Sequence, residues 1–256
     1  MDAQNMDALS KNPIDMRVIE PRSGDTQCPV VCKDCEARHG GVCSTLTMPQ
    51  LADINRHSTK RKVEAGSEVI GQGETIGSYS NILKGVVKLS KMMHDGRQQI
   101  VGLQFAPDFL GRPFMLESNV TAEAATDTEI CSFPRAMIDR MVSEAPDFER
   151  HLHGQSLKEL DDARDWMLTL GRKSAQEKVA SFLYLIASHV EPGKGRGATF
   201  DLPLSRADIA DFLGLTIETV SRQMTKLRKD GIVVIENNRH VIVPDIHRLN
   251  YAAGND

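Results

Sequence analysis

Residues 205–228, SRADIADFLGLTIETVSRQMTKLR, carry two short apolar-periodic runs on either side of Gly214. Ser205 with Asp208 three positions later is an S-x-x-D capping signal, and Ile209, Ala210 and Leu213 then give one inner face before the glycine stops the run. Thr216 can cap a second helix whose apolar side is Ile217, Val220, Met224 and Leu227. A short helix, a glycine turn and a second helix make a helix-turn-helix. The other face of the second helix is more informative. Glu218, Ser221 and Arg222 fall at i, i+3 and i+4, so they project together near the N-terminus, where a recognition helix meets base edges. Arginine can donate two bonds to guanine O6 and N7, glutamate can accept from cytosine N4, and serine can reach either kind of edge.

Working outward, Lys226, Arg228 and Lys229 lie further along this helix and offer charge without strict geometry, which suits phosphates. Thr216 is expected to join them. The next stretch, GIVVIENNRHVIVP, places two β-branched runs around Asn237-Asn238 and reads as a hairpin wing whose Arg239 or His240 could touch the DNA backbone. A solvated charged face is the bland alternative for Glu218, Ser221 and Arg222. Cap, glycine turn, basic flank and wing together favour double-stranded DNA.

Upstream, EPGKGRGAT at 191–199 reads as a surface loop and AQEKVASFLYLIASHV at 175–190 as a helix. Residues 134–173 are also helical in character, with Pro146 breaking or restarting the run. Leu160, Ala163, Met167 and Leu170 form an a/d stripe compatible with a dimer seam or with core packing. Asp161, Asp162 and Asp165 flank that stripe, so like charges would make dimerisation marginal, and Ala163 on the seam itself eases the repulsion. From about residue 61 to Pro134 the pattern is short strands with glycine punctuation, and HDGR at 94–97 is an Asp-Gly hairpin signal. Val86, Leu89 and Met92 are partly out of strict alternation. An antiparallel roll or barrel is expected.

Four of the five cysteines occur in CPVVCKDCEARHGGVC, residues 28–43, and the fifth is Cys131. The chain has 256 residues, 40% hydrophobic and 26% charged, and no apolar run long enough to span a bilayer or lead export, so a cytoplasmic setting is expected. Thiols there stay reduced, which points to metal or redox chemistry rather than disulfides. Cys32, Cys35 and Cys43 follow C-x2-C-x7-C, and Cys131 can supply a fourth thiolate. Four thiolates suit a tetrahedral zinc or a cubane of four irons, and spacing does not separate them. Cys28 with 32, 35 and 43 would make a wholly local, zinc-like set. The flanking pattern of a thioredoxin-type dithiol is missing. Net charge is −4, but basic residues concentrate near the C-terminus, where 216–229 holds four Lys or Arg against one Glu.

The order of parts resembles the CRP/FNR superfamily of bacterial transcription regulators over nearly all of residues 28–245. GSEVIGQGE, ILKGVVKLSK and FLG resemble its sensor domain, and LSRADIADFLGLTIETVSRQMTKLRKDGI its DNA-binding domain. E-T-V-S-R at 218–222 matches the FNR-type E-x-x-S-R. The resemblance implies an α+β chain and no enzyme: a cysteine-rich N-terminal segment (1–45), an antiparallel β-roll (46–135), a dimerisation helix (136–172) and a winged helix-turn-helix (173–256). It further implies that Glu218, Ser221 and Arg222 read TTGAT-like half-sites of an inverted repeat, with Thr216, Lys226 and Arg239 on phosphates. Cys32, Cys35, Cys43 and Cys131 would hold an oxygen-labile [4Fe-4S] cluster that favours the homodimer, which contacts RNA polymerase. The gap of seven before Cys43 departs from the FNR gap of five, a difference the His39-Gly40-Gly41 stretch could absorb. FLGRPFMLESNVTAEAATDTEI lacks the R-S-A phosphate cradle of cyclic AMP binders, so no cyclic nucleotide is expected. A same-fold regulator using zinc or thiol oxidation, and a metal-binding module without its own DNA target, stay open as alternatives.

Overall fold

The computed structural model describes residues 28–190 and 197–255, so the part of the N-terminal segment (1–45) before Cys28, and most of the 191–199 loop, lie outside the described residues. Short helices α1 (Val30–Lys33) and α2 (Glu36–His39) carry the cysteine segment toward α3 (Met48–His57). α3 is an addition to the expected all-β sensor. Its start was written in Thr47-x-x-Gln50, whose side chains form a capping box.

The roll is two antiparallel four-stranded sheets. One contains β1 (Thr59–Val63), β8 (Thr128–Pro134), β3 (Ser78–Lys84) and β6 (Phe109–Leu110) in that order. The other contains β2 (Glu68–Ile70), β7 (Thr121–Ala124), β4 (Val86–Met92) and β5 (Gln98–Phe105). Ile82, Val87, Leu110 and Ala122, one from each of four strands, pack between the sheets. The expected hairpin is present: Met93 N–H donates to Arg97 C=O at 2.8 Å, and Gly96 takes φ +85°. A register shift between Leu89 and Ser90 accounts for the broken alternation along β4.

Both outer faces of the roll are covered. Against β1–β8–β3–β6 lie Val42, Cys43, Leu51 and Ile54 of the N-terminal segment, together with α4 (Arg135–Glu144) and the start of α5 (Pro146–Arg172). The helical stretch is therefore two helices, with Pro146 in the first turn of α5, where its missing N–H costs nothing. Against β4–β5 lies the C-terminal domain. There α6 (Ala175–Val190), α7 (Arg206–Leu213) and α8 (Ile217–Lys229) share one apolar cluster with Ile100 and Phe105 of β5. A three-stranded sheet of β10 (Val234–Glu236), β11 (His240–Val243) and β9 (Ala198–Asp201) completes it, followed by α9 (Ile246–Ala252). Ala198 and Thr199, read as loop, are strand, because Phe200 and Ala198 gain a buried face against β11. Among the described residues no helix is long and apolar enough to cross a membrane.

Candidate functional site

Helix α7 begins with the Ser205–Asp208 capping box and ends at Gly214, whose φ of +60° is one that side chains rarely adopt. α8 is capped by the Thr216 hydroxyl, which accepts from Thr219 N–H at 3.2 Å. Val220, Met224 and Leu227 are buried, whereas Ile217, expected on the apolar face, is 48% exposed. Glu218, Ser221 and Arg222 are all exposed on the outer side of α8. The Glu218 carboxyl is held below the usual carboxylate range by its own backbone N–H, by Thr216 and, less, by Arg222, so it is an acceptor at neutral pH. Arg222 Nη2 rests on Thr219 Oγ1 at 3.0 Å, an exchangeable bond. Lys226 and Arg239 are exposed, the latter at the wing tip, where Asn237 and Asn238 take φ +49° and +57°. His240 Nδ1 is 2.8 Å from Asp201 Oδ1. Arg206, missed in the sequence, joins α7 to the wing by donating to Asn238 C=O at 3.2 Å.

The thiols gather on the opposite outer face of the roll. Cys131 stands in β8 with Lys60 of β1 and Asn81 of β3 directly across from it on either side. Opposed residues on neighbouring strands share a face, so all three side chains meet the cysteine segment. Cys28, Cys43 and Cys131 are buried; Cys32 and Cys35 are half-buried. Asn81 Nδ2 donates to Cys43 Sγ at 3.3 Å, and Lys60 Nζ donates to Val31 C=O at 2.7 Å, beside Cys32. Burial pushes the Cys43 thiol up to about 12, with Cys131 and Cys35 adding to the rise and Asn81 opposing it. Cys32 is raised by burial and then by Cys35 and Cys28, against Lys60. Cys131 is raised by burial, against Ser58 and Lys60. Among the described residues no three His, Cys, Asp or Glu side chains converge closely enough to hold one metal ion. Gly41 is no slack: a Cβ there would lie 2.8 Å from Pro107 C=O and 3.0 Å from Ala37, so the segment is pressed onto the roll at this point. Asn81, Lys60 and Ser58 had no local signal in the sequence.

On α5, Leu160 and Met167 are 45% and 72% exposed, Ala163 is exposed and Leu170 is half-buried. Leu157 and Leu168, exposed by 51% and 59%, widen the stripe. Asp161 pairs with Arg164 at 3.0 Å, while the Asp162 carboxyl is raised by burial and by the like charges of Asp165 and Asp108, against Lys158 and His189, so the acidic flank of the stripe is kept.

Comparison with known proteins bears on both faces. A Crp-like helix-turn-helix domain matches residues 177–252, and a cyclic nucleotide-binding domain matches 60–145. A probable transcriptional activator of Rhizobium leguminosarum bv. viciae is 65% identical over 225 residues, covering 88% of this chain and 94% of that protein. The transcriptional activator protein FnrL of Cereibacter sphaeroides is 42% identical, with 88% and 92% covered. The nitrogen fixation regulation protein FixK of Bradyrhizobium diazoefficiens is 40% identical, with 80% and 86% covered. The solved structure of FixK2 from Bradyrhizobium japonicum superposes with a TM-score of 0.70 at 32% identity, covering 76% of this chain and 96% of that one.

Proposed function

We propose, on the premise that this chain belongs to the Crp/Fnr family of DNA-binding transcription regulators, that it is an oxygen-responsive member whose Cys32, Cys35, Cys43 and Cys131 hold a [4Fe-4S] cluster. The observation that carries this reading is the meeting of thiols from two distant stretches, 32–43 and 131, on one buried face of the roll. The donor set fits. It is all sulfur, as iron–sulfur ligation requires, and burial raises Cys32, Cys43 and Cys131, so thiolates at those positions need positive charge beyond that of Lys60.

When bound, the cluster would supply an oxygen-labile tie between the segment and β8. The chain's own residues carry the consequence. Cys43 and Cys131 share an apolar cluster with Phe148 and Leu152 of α5, so order in the segment bears directly on the helix that presents Leu160, Ala163, Met167 and Leu170. That exposed stripe is the surface on which a second copy packs. Two α8 helices at fixed separation then read an inverted repeat of TTGAT-like half-sites through Glu218, Ser221 and Arg222, with Thr216, Lys226 and Arg239 on phosphates. RNA polymerase is the partner this reading supplies for the bound dimer. The cyclic nucleotide-binding match describes the roll's fold, and the missing R-S-A cradle argues against such a ligand here.

The test is anaerobic purification with iron, acid-labile sulfide and zinc measured per chain. About four irons and four sulfides, with absorbance near ~400 nm that bleaches in air, is the expected result. Stoichiometric zinc would replace the cluster with a structural metal, and a metal-free chain that still responds to oxygen would point to thiol oxidation.

A further inference from the structure

We propose that Lys88, which touches no DNA, sets the pose of the helix-turn-helix on the roll and thereby the half-site spacing that a dimer accepts. α5 ends at Arg172 and α6 begins at Ala175, so only Lys173 and Ser174 join the DNA-binding domain to the dimerisation helix. A link that short leaves the angle between them to packing. Helix α7 lies along the β4–β5 hairpin and is gripped at both ends. At its C-terminal end Gln99 Nε2 donates to Phe212 C=O at 3.1 Å, and Trp166 of α5 packs on the Phe212 ring with centroids 4.4 Å apart. Ile100 and Phe105 add apolar contact, which has no directional preference and tolerates sliding.

The N-terminal end is different. Lys88 Nζ lies 2.7 Å from Asp208 Oδ1 and 3.0 Å from Glu123 Oε1, with its side chain only 11% exposed. Glu123 stands directly across from Lys88 in the β4–β7 pairing, so the ammonium is aimed before α7 arrives. Asp208 is equally constrained, since its Oδ2 accepts from Ser205 N–H at 3.2 Å and Ser205 Oγ at 2.6 Å. The ion pair therefore grasps the cap of α7 itself, at one point and in one direction. A buried ion pair adds little stability over an apolar replacement of similar volume, because desolvation offsets the attraction; its contribution is to geometry. Pose passes on to the reading helix because Ile209, Leu213, Val220 and Met224 pack α7 and α8 together across the Gly214 turn. In a two-fold dimer the separation of the two α8 helices is the half-site separation, so a residue that fixes α7 on the roll selects spacing.

This inference rests on the two-fold reading of DNA above. The full-length wild type, Lys88→Met and Lys88→Met/Glu123→Gln, brought to the same metal content, are titrated with a single half-site and with inverted repeats whose spacers differ by single base pairs. The double variant removes one of the two carboxylates that Lys88→Met leaves without their lysine; the other, Asp208, keeps its bonds to Ser205. Wild type is expected to prefer one spacer over its neighbours by about tenfold. Both variants are expected to flatten that preference to about threefold or less, with half-site affinity and base preference unchanged. Retention of the full spacer preference in either variant, or an equal loss of affinity on every DNA including the half-site, overturns the proposal. A wild type that binds an inverted repeat no better than a half-site overturns the two-fold reading itself, and the spacing role with it.

Discussion

On the outer face of β4–β5 one lysine meets two carboxylates and the charges are paired; on the outer face of β1–β8–β3 the thiols meet one cation, Lys60, beside the neutral Asn55, Ser58 and Asn81. On the first face Lys88, Glu123 and Asp208 find their opposite charges within the chain. The second carries groups that burial keeps protonated and that become anionic only against additional positive charge.

The strongest way to break this contrast is to remove a thiol. Cys131→Ala is expected to abolish iron retention in anaerobically purified protein, while the apolar cluster of the C-terminal domain, which contains no cysteine, keeps its cooperative melting. Loss of both would show that the two faces fold as one unit. Next in size, Arg222→Ala is expected to weaken operator binding by about 1–3 kcal/mol, roughly fivefold to 150-fold, and to relax base preference at one position, with circular dichroism and iron content unchanged. Unchanged operator affinity would remove Arg222 from the reading face.

Smaller effects sharpen the DNA-side face. Ser205→Ala removes the hydroxyl that caps α7 and bonds Asp208, and is expected to cost about 1 kcal/mol in thermal or denaturant unfolding. The weakest expected signal is pH dependence of the Lys88–Asp208 contact. Burial works against both charges, but hydrogen bonds to Asp208 and Glu123 hold the Lys88 pKa above the lysine range, and those to Lys88 and Ser205 hold Asp208 below the carboxylate range. For Asp208 the contribution is present above the unfolded carboxyl value and is lost as pH falls through the depressed one. For Lys88 it is present below the unfolded amine value and is lost as pH rises through the raised one. The stability difference between wild type and Lys88→Met should therefore be flat around neutral pH and shrink at both extremes; a slope centred near neutrality would mean that another group titrates there.

Much of this was legible in the chain. The DNA-binding half could be read down to individual caps because its signals are local: Ser205 with Asp208, Gly214, Thr216 and the Asn237-Asn238 turn each act within one turn of backbone. Ile217 was misassigned because helical periodicity does not tell where a neighbouring helix stops covering a face. β9 lacked any signal of its own, as its register depends on β11.

By itself the sequence determined the helix-turn-helix and its wing, the hairpin at Asp95-Gly96, the set of cysteines and the stripe on α5, because propensity, capping and periodicity all act between near neighbours. Only the tertiary structure decided which groups share a face: Lys60 and Asn81 beside Cys131, Gly41 pressed on Pro107, and Lys88 joined to Asp208 across 120 positions of sequence. Those partners are chosen by strand register and domain docking, and a lysine in a strand carries no mark of the carboxylate that the fold will bring to it.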